Sequence, residues 1–136
     1  MKRGKRVKPV FPIEYRLLIT PQFKENEKKY VTSFALRTTN EFSNFRYDII
    51  VESELNDRTI RLNIRGLRAP QLSIPGSGPA IYRTEFSDLN GEYKIIVIKP
   101  GKQENSYTVS ITKKEISLRK NPRNKFVDLV TSPDEW

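Results

Sequence analysis

Residues 59–65 alternate strictly, with Ile60, Leu62 and Ile64 on one face and Thr59, Arg61, Asn63 and Arg65 on the other. Period two with one wet face predicts a half-buried strand. Residues 106–112 repeat the pattern, with Tyr107, Val109 and Ile111 inward and Thr108, Ser110 and Thr112 outward. Residues 30–39 set Tyr30, Thr32, Phe34 and Leu36 against Val31, Ser33, Ala35 and Arg37, and residues 45–54 put Phe45, Tyr47, Ile49 and Val51 on one face. Two segments, 13–20 through Leu17-Leu18-Ile19 and 92–99 through Ile95-Ile96-Val97-Ile98, are apolar on both faces, as central strands are. Residues 80–87 predict a further strand. Ile116 and Leu118 extend the 106–112 strand or start another, and Phe126 to Val130 predict a last edge strand.

Turn residues punctuate these segments about every ten positions. Asn56-Asp57 sits where a two-residue hairpin turn belongs, Asn90-Gly91 and Pro100-Gly101 mark two more, and Pro21 opens a polar stretch read as a loop over 21–29. Pro70, Pro75, Gly76, Gly78 and Pro79 make residues 70–79 a loop. No segment shows helical periodicity. The expected fold is all-β, an antiparallel immunoglobulin-like β-sandwich of seven to nine strands, with a small Greek-key barrel as the alternative. Residues 1–12 read as a basic arm, 13–130 as one domain and 131–136 as a tail.

Composition agrees with strands. There are 13 Ile, 8 Val and 9 Thr against 3 Ala, and β-branched residues fit a pleated sheet where Ala favours helix. Leu89-Asn90-Gly91-Glu92-Tyr93-Lys94-Ile95 resembles the E–F corner of immunoglobulin-like and fibronectin type III-like domains. The resemblance implies that Tyr93 fills the end of the core with its hydroxyl bonded to upstream backbone, and that Gly91 permits the bend. It further implies that Pro100-Gly101 opens a hairpin into residues 104–112. The chain has no Cys pair and its lone Trp is Trp136, so only the broad sandwich class is implied, not an antibody-type domain. Such a fold carries no function of its own.

The chemistry available is narrow. The 136 residues contain no Cys and no His, which removes thiolate catalysis, Cys-type zinc sites and the usual proton shuttle. Glu52 and Glu54 share one strand face, and Asp88 and Glu92 flank a turn, but neither pair marks an acid–base site. Gly76-Ser77-Gly78 lacks the ending of a phosphate loop. The chain is therefore expected to be no enzyme, with no cofactor and no metal. No apolar run reaches the 18 or so residues of a membrane helix. The basic start is interrupted by Pro9, Pro12, Glu14 and Arg16 rather than followed by a signal-peptide core. A reducing cytoplasm is the expected location.

Charge changes the picture most. Of the formal +9, residues 1–8 supply +5 through Lys2, Arg3, Lys5, Arg6 and Lys8. Residues 113–125 supply another +5 through Lys113, Lys114, Arg119, Lys120, Arg123 and Lys125 against Glu115. Residues 9–112 hold only +2 and residues 126–136 hold −3. Basic segments at the ends of a near-neutral body suit an anionic partner, a polyanion such as nucleic acid or an acidic protein. Alternatively, they are solvated arms. Arg58, Arg61, Arg65 and Arg68 form a second basic face, which cross-strand pairing with Asp48, Glu52 or Glu54 would also explain. Aromatic and basic residues interleave at Phe42, Phe45, Arg46 and Tyr47 and at Tyr82-Arg83, which suits base stacking or plain core packing.

The expected function is a non-enzymatic binding or accessory subunit, docking through its basic segments and sheet edges. The alternatives are a structural subunit of a larger assembly and an OB-like nucleic-acid-binding module.

Overall fold

The computed structural model describes residues 12–43, 46–69 and 76–136. Nine strands account for most of these: β1 (Tyr15–Lys24), β2 (Lys29–Thr38), β3 (Asp48–Asn56), β4 (Thr59–Arg68), β5 (Ile81–Ser87), β6 (Gly91–Ile98), β7 (Glu104–Ile111), β8 (Ile116–Lys120) and β9 (Val127–Val130). The remaining regular element is one 3-10 turn, Pro133–Glu135. The strands form a single sheet in the order β9-β1-β2-β5-β3-β4-β6-β7-β8, curled nearly into a barrel.

The expectation of purely antiparallel pairing needs correction. Five neighbouring pairs are antiparallel, but β9 with β1, β3 with β5 and β4 with β6 are parallel. The cause lies in the connections. β5 and β6 are joined by only Asp88-Leu89-Asn90, yet they pair with different neighbours rather than with each other. The chain turns a corner there and crosses to the other half of the sheet, instead of closing a hairpin.

Other boundaries move for local reasons. β1 runs through Pro21 to Lys24 and pairs with β2 to its end. Pro21 lies beyond Leu18, where β9 has stopped and β1 has become an edge, the place where a missing N–H is tolerated. The hairpin between β3 and β4 turns on Asp57-Arg58, one residue later than Asn56-Asp57, because Asn56 pairs with Thr59 and Asp57 takes the positive φ of 58°. In β4 the register skips Arg65, with Ile64 facing Val51 and Gly66 facing Ile50. That bulge flips the inward face, so Leu67 rather than Gly66 follows Ile64 on the core side. Phe45 and residues 70–75 lie outside the described residues.

The interior is one apolar core. Leu17, Ile19, Phe34, Leu36, Ile60, Leu62, Ile64, Ile95, Val97, Val109 and Ile111 are each under 2% exposed. They come from β1, β2, β4, β6 and β7 at the alternate positions the pattern predicts. Across the seam between the two ends of the sheet, side chains of β7 reach the start of β9. Asn105 at the start of β7 is 4% exposed, and its Oδ1 accepts the main-chain N–H of Phe126 at 2.9 Å and of Val127 at 3.3 Å. Its Nδ2 donates to Asn124 O at 3.1 Å, and the Tyr107 hydroxyl donates to Val127 O. Side chains thus satisfy groups that a ladder would otherwise pair. Burial pushes the Tyr107 phenol well above its ordinary value, with Asp128 adding to the effect.

Residues 131–136 fold back on the outer face. Trp136 packs on Leu18, Ala35 and Val130. Its indole Nε1 donates to Arg16 O at 3.2 Å, and Arg37 Nε donates to its carbonyl at 2.9 Å. The guanidinium carbons of Arg37 and Arg83 lie 5.6 and 5.2 Å from the ring centre.

Candidate functional site

Strand direction sorts the basic residues into two ends of the barrel. At one end, called here the mouth, lie the turns 25–28, 57–58, 88–90 and 112–115. At the opposite end lie residues 39–43, 46–47, 99–103 and 121–126. The segment 113–125 is therefore split. Lys113 and Lys114 stand in the tight turn at the mouth, held by Thr112, whose Oγ1 accepts from Glu115 N at 3.0 Å and Lys114 N at 3.3 Å. Arg119 and Lys120 end β8 beside the middle of β7, at Val109 and Thr108, and Arg123 and Lys125 lie in the connection that leads on to the opposite end.

That opposite end is the stronger candidate. Arg119, Lys120 and Arg123 are exposed, and none has an acidic partner within ion-pair distance among the described residues. In β8 the register passes from Leu118 opposite Val109 to Lys120 opposite Thr108, so Arg119 is the bulged residue. Lys125 pairs with Asp128 at 3.4 Å. The described chain enters at the same end. The amides of Glu14 and Tyr15 donate to Phe126 O at 2.8 and 3.1 Å, and Lys99 Nζ meets Glu14 Oε2 at 2.5 Å. Lys2, Arg3, Lys5, Arg6 and Lys8 lie outside the described residues and precede Glu14 by 6 to 12 positions.

The second basic face is engaged in its own packing. Arg65 Nη2 meets Glu52 Oε1 at 2.6 Å, and Arg68 reaches Asp48 at 3.9 Å. Arg61 faces Glu54 across the ladder. Arg58 covers the corner after β5, with its guanidinium carbon 4.9 Å from the centre of the Tyr93 ring and Nη1 donating to Asn90 O at 2.5 Å. Tyr93 is 7% exposed, and its hydroxyl accepts from Asn90 N–H at 3.2 Å. Gly91 holds φ 107°, and a Cβ there would stand 2.9 Å from Arg58 Nη1. These are the contacts the corner resemblance implies for Tyr93 and Gly91. The role of Arg58 was missed because its turn lies more than thirty residues away in sequence.

Phe42, Tyr47, Tyr82 and Arg83 of the aromatic–basic stretches are engaged in packing. Phe42 and Tyr47 form an edge-on pair at 5.0 Å, both against the core. Tyr82 donates to Ser53 Oγ at 3.0 Å, and Arg83 lies over Trp136. The carboxylates named in the sequence do not converge. Glu52 is paired with Arg65, Asp88 sits at the mouth, and no cluster of three or more Asp and Glu able to hold a metal occurs among the described residues. No helix of the described residues is long and apolar enough to cross a membrane.

Sequence reasoning did not find a groove at the mouth, about 550 Å³ in volume, lined by Tyr30, Thr32, Leu89 and Lys113 among others. It is assembled from the start of β2 and two turns distant from it in sequence, so only the Lys113-Lys114 pair was visible in the sequence. Comparison with protein-family models, with curated proteins and with solved structures finds no match for this chain.

Proposed function

We propose that the chain is a non-enzymatic binding subunit that holds a polyanionic partner at the end of the barrel opposite the mouth. The surface is Arg119, Lys120 and Arg123 together with the basic residues 1–8. The observation that carries this reading is the pair of hydrogen bonds from Glu14 and Tyr15 to Phe126 O. They hold residues 14 and 15, which follow the N-terminal basic segment in sequence, beside the connection that carries Arg123, so parts of two +5 segments would serve one surface. β8, an edge strand, carries Arg119 and Lys120, which fits docking along a sheet edge. Neutralising phosphates or sulfates would release counterions, so affinity falls steeply with salt.

The architecture is read as a small barrel closed by side chains. The Tyr93 corner supports an immunoglobulin-like ancestry of that half of the sheet, whereas the parallel pairings support the barrel. A reducing compartment, the cytoplasm, fits a chain without Cys.

The test is binding to a heparin column and to a short oligonucleotide at about 50 and about 300 mM salt. The intact chain, a chain lacking residues 1–8 and an Arg119→Glu/Lys120→Glu variant would be compared. Retention at low salt that both changes weaken supports the reading. No retention of the intact chain at low salt overturns it.

A further inference from the structure

The mouth groove is a second site, distinct from the basic end. β1 and β2 extend past the core as a hairpin, and their inward positions there are Phe23 and Tyr30, an edge-on pair 4.9 Å apart. Both rings are unusually open for large aromatics, at 42% and 40% exposure. The groove runs from Tyr30 to the β7–β8 turn, with Leu89 of the corner, 7% exposed, as its apolar floor.

The polar groups within it are few and specific. Thr32 is 4% exposed and lines the groove, and its hydroxyl has no hydrogen-bond partner among the described residues. A buried hydroxyl without a partner is costly, and a ligand atom would satisfy it. Lys113 and Lys114 stand on the rim with no carboxylate within ion-pair distance among the described residues. Asp88, Asn90 and Thr112 complete the polar lining.

We propose that this groove binds a small amphiphilic anion: a flat or short apolar body bearing one anionic head, carboxylate or phosphate. Three observations converge on that class. The volume lies within the range of small-molecule pockets, about 300–1,000 Å³. The floor and the Tyr30 ring offer an apolar bed, and the two lysines offer the counter-charge. Asp88 on the same rim leaves the groove with one net positive charge, which suits a single head group and works against a multiply charged strand. The ligand head meets Lys113 and Lys114, the body lies on Leu89 and Tyr30, and Thr32 bonds a polar atom of the buried end.

The experiment titrates the full chain with 1-anilinonaphthalene-8-sulfonate, an aromatic ring system with one anionic head, followed by fluorescence. The expected result is saturable binding at one site. Lys113→Glu/Lys114→Glu should weaken it by at least about tenfold, and Thr32→Val, which keeps the side-chain shape, by a few fold. Arg123→Glu, in the connection at the other end of the barrel and outside the groove lining, should leave it unchanged, which keeps this site separable from the polyanion surface. Displacement by laurate or by adenosine monophosphate identifies the head as carboxylate or phosphate. Binding that is unsaturable, that neither competitor displaces, or that is insensitive to the Lys113→Glu/Lys114→Glu change in a chain with an unaltered melting curve overturns the proposal.

Discussion

Asn105 Oδ1 accepts the main-chain N–H of Phe126 at 2.9 Å, the shortest of the bonds by which the Asn105 side chain holds the strand at the seam. Phe126 is in turn the residue whose carbonyl receives Glu14 and Tyr15. The seam, the entry of the chain and the basic connection 121–126 therefore meet at a single node. A change at Asn105 should disturb both stability and the shape of the basic end.

Asn105→Leu keeps the branching of the side chain but leaves the N–H groups of Phe126 and Val127 buried without acceptors. The expected loss is about 2–4 kcal/mol, since each unsatisfied buried group costs about 1–3 kcal/mol. Tyr107→Phe removes one hydroxyl, the donor to Val127 O and, more distantly, to Asn105 Oδ1, leaves both N–H groups their acceptor, and should cost about 1 kcal/mol. Urea unfolding of the two variants checks the order, and a smaller effect for Asn105→Leu than for Tyr107→Phe would contradict it.

High pH should loosen the same seam. Burial raises the pKa of Tyr107, and burial followed by Glu14 raises that of Tyr15, above the ordinary value of 10.0. Both phenols are acids whose folded pKa exceeds the unfolded one. Their contribution is fully present below pH 10 and is lost as pH rises through the folded values. Stability should fall above pH 10 by up to about 1.4 kcal/mol per pH unit for the buried Tyr107, and by less for the half-exposed Tyr15, where solvent screens the effect. Tyr107→Phe should flatten that fall. Denaturant midpoints measured between pH 8 and about 11 give the slopes.

At the corner, Gly91→Ala meets two obstacles, a φ of 107° that side chains rarely adopt and a Cβ 2.9 Å from Arg58 Nη1. The expected cost is about 1–3 kcal/mol. Adding Arg58→Ala removes the close contact but not the backbone strain, so the double variant should remain less stable than Arg58→Ala alone. Thermal melts of the three variants decide the point.

Trp136 is the chain's one Trp, so its emission reports directly on the packing of residues 131–136. Arg37→Met removes the donor to the Trp136 carbonyl and the cation over the ring. Emission should move to longer wavelength and quenching by acrylamide should increase. An unchanged spectrum would mean that Leu18, Ala35 and Val130 hold the ring without Arg37.

Much of this was legible in the alternation itself. Ile60, Leu62 and Ile64, like Tyr107, Val109 and Ile111, point inward as their spacing predicts, because a buried face imposes period two on any strand. What period two cannot carry is which strand neighbours which. Asn90-Gly91 reads equally as a hairpin and as a corner, and only the distant partners of β5 and β6, β2 and β4 among them, decide for the corner. The charge segments were legible as segments, but not their division. Ile116 and Leu118 belong to a strand that carries Arg119 away from Lys113, so one basic run serves two ends of the barrel. The groove was invisible because Tyr30, Leu89 and Lys113 are brought together only by the closure of the sheet.

The central claim is that the entry of the chain and residues 119–125 form one anion-binding surface. The most direct measurement is an amide chemical-shift titration of the intact protein with a short single-stranded oligonucleotide at low salt. The account predicts shifts concentrated at residues 1–14 and 119–125, collapsing as salt is raised. Shifts centred instead on the Arg58–Arg68 hairpin, or none at low salt, would contradict it.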